Sequence, residues 1–518
     1  MKSFFISLAA LFFAATTFAQ EALAPKHFPA MATAEADNHG IITDQPEGEV
    51  RYYLRSGGAT YASYYFMKET QDGMATEIVY AEGGKVYIKN IISHAATGTW
   101  VEGTIDGNTI TIPLGQILYW WDEDGYGLAL ARVKVNGTIE SYTSSTKGNV
   151  VFNVEGNKLT LQGTSGDPET NTFDGLGLIY TDAADGEWSY YLDYQTVFTH
   201  KDVQPVTPPA DLETEVYSLE HDNTGHFVSV GFDGSDVYIQ GISESRVADA
   251  WIKGTLKGNQ ITFPLQYAGI YSTYMLFFNA AMGEYMKGAD GYWDWYYSWT
   301  DGSITFAFDP KTRSFKTDMS MMVTNSDTDM GKGEIFHAPV FRPFKERPAT
   351  PADPEITFHQ DMGNFTILAL SVPLQDTEGN FLDPTKLSYK LYLSDDEPYI
   401  LYPDEYKYLT QELEEVPYIF TDETREAYSR SYIYEKASYL YLFQKGLDQL
   451  GIQSIYRGGG EEHRSKIVYR DMTHISGVAT TTVPVENFDI SGRHVTDSHR
   501  GLTISRMSDG RVVKRLQR

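Results

Sequence analysis

Apolar and polar residues alternate along much of the chain with a period of two, the spacing that turns one face of a strand toward a core. Trp100–Leu114 (WVEGTIDGNTITIPL) shows it clearly: Val101, Gly103 and Ile105 share one face, and Ile110, Ile112 and Leu114 share one face of the returning strand. Between them, Asp106-Gly107-Asn108 suits a tight turn with positive φ. The same words recur further along. Gly83–Leu114 reads GGKVYIKNIISHAATGTWVEGTIDGNTITIPL, and Gly234–Leu265 reads GSDVYIQGISESRVADAWIKGTLKGNQITFPL. At a constant offset of 151 and without gaps, 14 of 32 positions are identical, among them Tyr87/Tyr238, Trp100/Trp251, Gly103/Gly254, Gly107/Gly258 and Pro113/Pro264. Repeats of roughly 20–50 residues build solenoids; a period this long is a domain duplication. The pattern predicts two antiparallel β-domains, Gly48–His200 and Leu212–Pro343, with superposable hairpins that bury Trp100 and Trp251 at equivalent positions.

Two Pro-rich joints bracket the second copy: Pro205-Val206-Thr207-Pro208-Pro209 and Pro343–Pro354 (PFKERPATPADP). Proline cannot donate to a sheet ladder and stiffens linkers, so both mark boundaries. From Glu355 to Met472 the pattern changes. Phe365–Val372, Leu387–Leu393 and Leu440–Phe443 predict strands, and Gly451–Tyr456 with Lys466–Tyr469 predict a hairpin around Gly458-Gly459-Gly460. Thr410–Tyr434 is rich in Glu, Tyr and Arg and predicts a helical or irregular insertion. This layout resembles the fibronectin type III or immunoglobulin-like sandwich, in which paired late strands carry alternating aromatics. The fold class expected is therefore mainly β: two duplicated antiparallel β-domains, a β-sandwich-like domain and a short β tail.

The two ends of the chain carry an address. Lys2 is followed by the apolar run Phe4–Phe13, and Thr17 and Ala19 stand at −3 and −1 of an expected cleavage before Gln20, so residues 1–19 read as a signal peptide and 20–47 as a linker. The apolar run is too short for a membrane span, which needs about 18 residues or more, and no later segment supplies one. At the other end, Asn487–Arg493 reads NFDISGR, Gly501–Arg506 reads GLTISR, and Asp509-Gly510 precedes Val512–Leu516 (VVKRL). This resembles the C-terminal sorting tails of the type IX secretion route of Gram-negative bacteria. Those tails combine an aromatic-Asp-x-x-Gly-Arg opening, a Gly-hydrophobic strand, a turn and a basic last strand. Phe488, Asp489, Gly492, Arg493, Gly501 and Lys514 match; Leu502-Thr503 stands where Ile-Tyr or Leu-Tyr is usual. The resemblance implies that residues 487–518 engage that secretion machinery and deliver the protein to the cell surface or the medium. A tail that does not sort leaves it in the periplasm.

Composition narrows the chemistry. Among 518 residues, 70 acidic against 41 basic side chains leave a net charge of −29, which opposes nucleic-acid binding through phosphates. Cysteine is absent, so disulfides, thiolate metal sites and Cys nucleophiles are absent with it. The 12 His residues form no HExxH, no G-x-S-x-G occurs, and Ser144–Lys147 fits S-x-x-K without the partner motifs of that family. Asn325-x-Asp327-x-Asp329 spaces three oxygen ligands as calcium loops do, then has Met330 and Phe336 where such loops need Gly and Glu. Neither a metal nor a cofactor is expected. Asp122-Glu123-Asp124 and Glu461-Glu462-His463 read as solvated turn charges, and no carboxylate pair stands out for glycosidase work.

Aromatic clusters carry the remaining signal. Tyr119-Trp120-Trp121 lies in the first copy, and Trp293-Asp294-Trp295-Tyr296-Tyr297-Ser298-Trp299 in the second. At the offset of 151, Trp121 falls on Ser272, and Tyr142/Trp293 is the aromatic pair of the second cluster. The clusters thus read as additions to the shared framework. In a continuous strand Trp293, Trp295, Tyr297 and Trp299 project to one face, either a sugar platform or a hydrophobic wall. Candidate ligand-binding residues are Trp293, Trp295, Trp299, Tyr297, Trp120 and Trp121. The function expected is an exported, non-catalytic binding protein, with a glycan or a surface protein as partner and carbohydrate the favoured class. A secreted glycoside hydrolase and a structural or adhesive surface protein are the alternatives.

Overall fold

A computed structural model describes residues 39–488, 501–507 and 512–517, apart from 62–65, 96, 182–185, 223, 288–292, 395–396, 407–408, 422–423, 425–437, 445–446 and 473–483. The expected leader lies outside the described residues, as does much of the Thr410–Tyr434 stretch. Strands are the dominant regular structure of the described residues, with short 3-10 turns at Glu82–Gly84 and Pro384–Lys386. The fold is mainly β.

Each copy closes eight strands into an antiparallel barrel. In the first these are Glu49–Tyr61, Ala75–Ala81, Lys85–Lys89, Trp100–Asp106, Thr109–Pro113, Asn149–Glu155, Lys158–Leu161 and Trp188–Lys201, the last returning to the first through Tyr52↔Lys201 and Leu54↔Thr199. In the second they are Thr214–His221, Thr224–Asp233, Asp236–Gln240, Trp251–Lys257, Gln260–Phe263, Ile304–Phe308, Phe315–Lys316 and Val340–Pro343. Closure removes the unpaired edges that an open sheet exposes. After its fifth barrel strand each copy leaves the barrel. In the first, Ile117–Trp121, Tyr126–Asn136, Thr138–Ser145 and Thr172–Tyr180 extend the same sheet, joined to the barrel where Thr172–Tyr180 pairs with Trp188–Lys201. In the second, Gln266–Tyr271, Tyr274–Lys287, Trp293–Trp299, Ser320–Thr324 and Gly333–His337 form a second, separate sheet.

The duplicated hairpins keep one register. Lys85↔Thr104 and Lys89↔Trp100 match Asp236↔Thr255 and Gln240↔Trp251. Gly103 and Gly254 share a cause: a Cβ on Gly103 would meet Ile112 Cδ1 at 2.2 Å, and one on Gly254 the Phe263 ring at 2.7 Å. The two tryptophans differ from the expectation. Trp100 is only 2% exposed, whereas Trp251 is half-buried. The reason is a piece of chain outside the duplicated words: Ile42 bridges Trp100, whose N–H donates to the Ile42 carbonyl at 2.9 Å.

The copies pack on each other through Tyr52, Ala75, Tyr267, Met275 and Phe277, with the Tyr52 and Tyr267 rings 5.0 Å apart. Ala75 N–H donates to the Thr273 carbonyl at 2.5 Å across this contact. Beyond Pro354, a three-stranded sheet (Glu355–Asp361, Thr366–Ser371, Tyr439–Leu442) and a six-stranded sheet centred on Leu387–Ser394 and Gln449–Tyr456 enclose a core that includes Leu368, Tyr389, Leu440 and Ile452. Pro484–Phe488, Gly501–Met507 and Val512–Gln517 pair as a small tail sheet.

Candidate functional site

The strand Tyr274–Lys287 outruns its neighbour. Its pairing with Ser320–Thr324 stops at Ala281↔Ser320, and beyond that Trp293–Trp299 accompanies it from Ala281↔Trp299 to Lys287↔Trp293. A two-stranded ribbon therefore projects from the second sheet of the second copy. Strand parity places Gly283, Tyr285, Trp295 and Tyr297 on one face and Met282, Glu284, Met286, Tyr296 and Ser298 on the other; the side chain of the candidate Trp293 lies outside the described residues.

The first face forms an aromatic platform. The Trp295 and Tyr297 ring planes lie within 15° of each other at 6.4 Å, and His337 stacks on Trp295 at 4.3 Å and 19°. The Tyr297 hydroxyl meets His337 Nε2 at 2.9 Å, which holds the imidazole nearly parallel to both rings. Tyr285, opposite Trp295, tilts over it at 5.7 Å and 52°. Gly283 makes this arrangement fit, because a Cβ there would stand 3.2 Å from both the Trp295 and Tyr297 rings and 2.9 Å from Ser320 Oγ. Tyr285 is 55% exposed and Trp295 39% exposed, so the platform faces solvent.

Polar groups gather at one edge. Asp222 Oδ2 lies 4.0 Å from His337 Nε2 and 3.2 Å from His221 Nδ1. Burial beside Phe336, edge-on at 4.8 Å, pushes the His221 pKa down, with the Asp222 hydrogen bond opposing it. Flat aromatic faces bordered by a carboxylate and an imidazole offer apolar stacking together with hydrogen bonds to hydroxyls.

The other candidates lie elsewhere. Trp299 is half-buried at the base of the ribbon, its ring beside Gly302. Trp120 stacks on His39 at 3.8 Å and 20°, and Trp121 packs edge-on against Tyr119 and beside Tyr126 on the strands that extend the first barrel's sheet. The structure brings Trp295 and Tyr297 together with Tyr285 and His337, not with Trp120 or Trp121. It also changes the alignment of the copies. Trp121 pairs with Tyr126 as Tyr271 pairs with Tyr274, so the counterpart of Trp121 is Tyr271 rather than Ser272. Tyr142, opposite Val135, matches Tyr297, opposite Gly283. Two aromatic positions, Trp121/Tyr271 and Tyr142/Tyr297, are thus shared by the copies, whereas Trp120 falls on Ile270 and Trp299 on Ser144. Tyr285 was legible in the alternation Gly283-Glu284-Tyr285-Met286; nothing near His337 in sequence signals its place.

Acidic motifs serve the backbone. Asn325 Oδ1 accepts from Lys332 N–H at 2.8 Å, Asp329 Oδ1 from Gly331 N–H at 3.0 Å, and Asp327 pairs with Lys201 at 2.6 Å. Among the described residues, no group of three His, Cys, Asp or Glu side chains is placed to hold a metal ion. Asp193 has a displaced carboxyl, raised by burial to about 6 against the pull of Arg55 and Ser93. It is 1% exposed inside the first copy, out of reach of a substrate. No protein-family model matches the chain, and no curated protein matches it.

Proposed function

We propose that this chain is an exported, non-catalytic binding protein of the cell surface or the medium, and that the platform of Trp295, Tyr297, Tyr285 and His337 binds carbohydrate. The observation that carries the reading is the near-parallel stack of Trp295, Tyr297 and His337 on an exposed ribbon, supported by Gly283. A core wall would be covered; here Tyr285 and Trp295 meet water. The leader-like N-terminus and the resemblance of residues 487–518 to sorting tails support export, with the tail engaging secretion machinery. Screening the mature protein against a glycan array, followed by titration of a retained glycan into the Trp295→Ala variant, tests it. Retention by the parent and loss in the variant is the expected result; equal binding by both removes the platform from the account.

A second reading, adhesion through protein contacts, rests on the opposite face of the ribbon, where Met282 is 48%, Met286 41% and Tyr296 45% exposed. Exposed methionine and tyrosine side by side suit adaptable protein surfaces. Changing Met282 and Met286 together to Ser separates the readings, since it spares the platform residues.

A further inference from the structure

The half-buried state of Trp251 has a geometric origin that points to a second site. In a strand, the amides of residues two apart point to the same edge. In the first copy that edge carries Glu102 N–H, held by the Gln116 side chain at 2.8 Å, and Trp100 N–H, held by the Ile42 carbonyl at 2.9 Å. The segment that brings Ile42 there also stacks His39 on Trp120 and buries Ile41 at 3% exposure. In the second copy Lys253 N–H is held by the Gln266 side chain at 2.7 Å, so Trp251 N–H points to that same edge. The counterparts of Trp100 and Trp120 are Trp251 and Ile270, and both line a cleft of 710 Å³ between the two copies. Val247 and Tyr267 continue that wall, Thr76 and Asn90 of the first copy face it, and the linker residues Pro205 and Val206 border it. Such a volume lies within the roughly 300–1,000 Å³ of small-ligand pockets.

We propose that this cleft binds an extended peptide segment bearing a branched aliphatic side chain, which adds to the Trp251 edge as residues 40–43 add to the Trp100 edge. The duplication itself supplies the argument for the occupant: where the first copy has an extended segment bridged to this edge at Ile42, the second has a cleft with the same backbone groups turned toward it. Main-chain hydrogen bonds to Trp251 give the affinity, and the Val247–Ile270 wall takes the alternate side chain, as in other strand-addition sites. The linker Pro205–Val206 runs along the border with prolines at 205, 208 and 209, which have no N–H to give to a ladder. This site is separate from the ribbon platform and stands without it.

The probe is a blocked pentapeptide with the sequence of residues 39–43, His-Gly-Ile-Ile-Thr, added to the mature chain. Hydrogen exchange resolved at Trp251 is the main readout, with Trp100 as internal reference. The expected result is a Trp251 amide that exchanges much faster than Trp100 alone and slows about tenfold or more with saturating peptide. Ala248 is exposed on the cleft rim, so Ala248→Arg closes the cleft without disturbing a core; it should weaken the peptide about tenfold or more. Four outcomes overturn the proposal. One is a Trp251 amide already as slow as Trp100 without peptide, which would mean the protein's own linker covers the edge. Another is the lack of saturable peptide binding. The third is binding indifferent to Ala248→Arg. A glycan whose retention depends on Ala248 and not on Trp295 would assign the cleft to sugar instead.

Discussion

Gln116 and Gln266 make the same three hydrogen bonds in the two copies, although Gln266 follows Pro264 by one residue fewer than Gln116 follows Pro113. Gln116 accepts from Glu102 N–H and donates to the carbonyls of Glu102 and Pro113 at 2.9 Å each. Gln266 accepts from Lys253 N–H and donates to Lys253 and Pro264 at 3.1 and 2.9 Å. Each side chain stands in for the strand that would otherwise pair there, and so satisfies an edge that the barrel leaves open. Gln116→Ala or Gln266→Ala should each cost roughly 1–3 kcal/mol, since a backbone donor and acceptor lose their partners together. Denaturant titration of each variant checks this, and a loss confined to one copy would argue against their equivalence.

Trp100→Ala should destabilise far more than Trp251→Ala. Burying a tryptophan and then deleting it typically costs about 3–5 kcal/mol. Trp100 is buried under Ile42, and Trp251 borders the cleft. Equal losses on thermal unfolding would contradict the difference in environment.

Arg55 and Asp193 form a buried ion pair, 3.5 Å apart, where the second copy has Leu219 and Phe336. Arg55 faces Phe198 as Leu219 faces Phe341, which sets the correspondence. Arg55→Leu or Asp193→Phe alone strands a buried charge and should cost about 3–5 kcal/mol, while the double change should be much milder. A pH series adds a sign. Burial raises the Asp193 pKa to about 6, above its unfolded value near 3.9, so the folded state holds this proton more tightly. The resulting stability is fully present below about pH 4 and is lost as pH rises through about 6. The parent-minus-double-variant difference in unfolding free energy isolates that slope from the histidines; a flat difference would sink the assignment.

On the ribbon, Trp295→Ala should abolish glycan retention with little change in melting temperature, because Trp295 projects from a solvent-facing strand. Gly283→Val tests the support: its added side chain collides with both rings and with Ser320, so binding should fall although no contacting ring is removed. A large drop in melting temperature for Trp295→Ala would mark the stripe as a packing surface.

Deleting residues 487–518 should leave the barrels folded and shift the protein from the surface or medium into the periplasm. Cell fractionation reads this directly. An unchanged distribution would dismiss the sorting role.

The local alternation of apolar residues was enough to determine strands, the Asp106-Gly107-Asn108 type of turn and the duplication, because these depend on neighbours within a few residues. The β class and the matched register of Lys85–Pro113 with Asp236–Pro264 were therefore legible. The alignment failed just past Leu114 because Gly115 has no counterpart before Gln266, and a gapless comparison then drifts away from the aligned Tyr142/Tyr297 and Trp121/Tyr271 positions.

Other features depend on partners far apart in the chain. Barrel closure pairs Tyr52 with Lys201, and His337 reaches Tyr297 from a separate strand. Trp100 and Trp251 sit in nearly identical words, yet their burial is decided by Ile42, which lies outside those words. Sequence alone determined which residues pair with their near neighbours. Tertiary structure decided which of those paired strands would be covered and which would face water, because burial is set by what the rest of the chain brings to an edge.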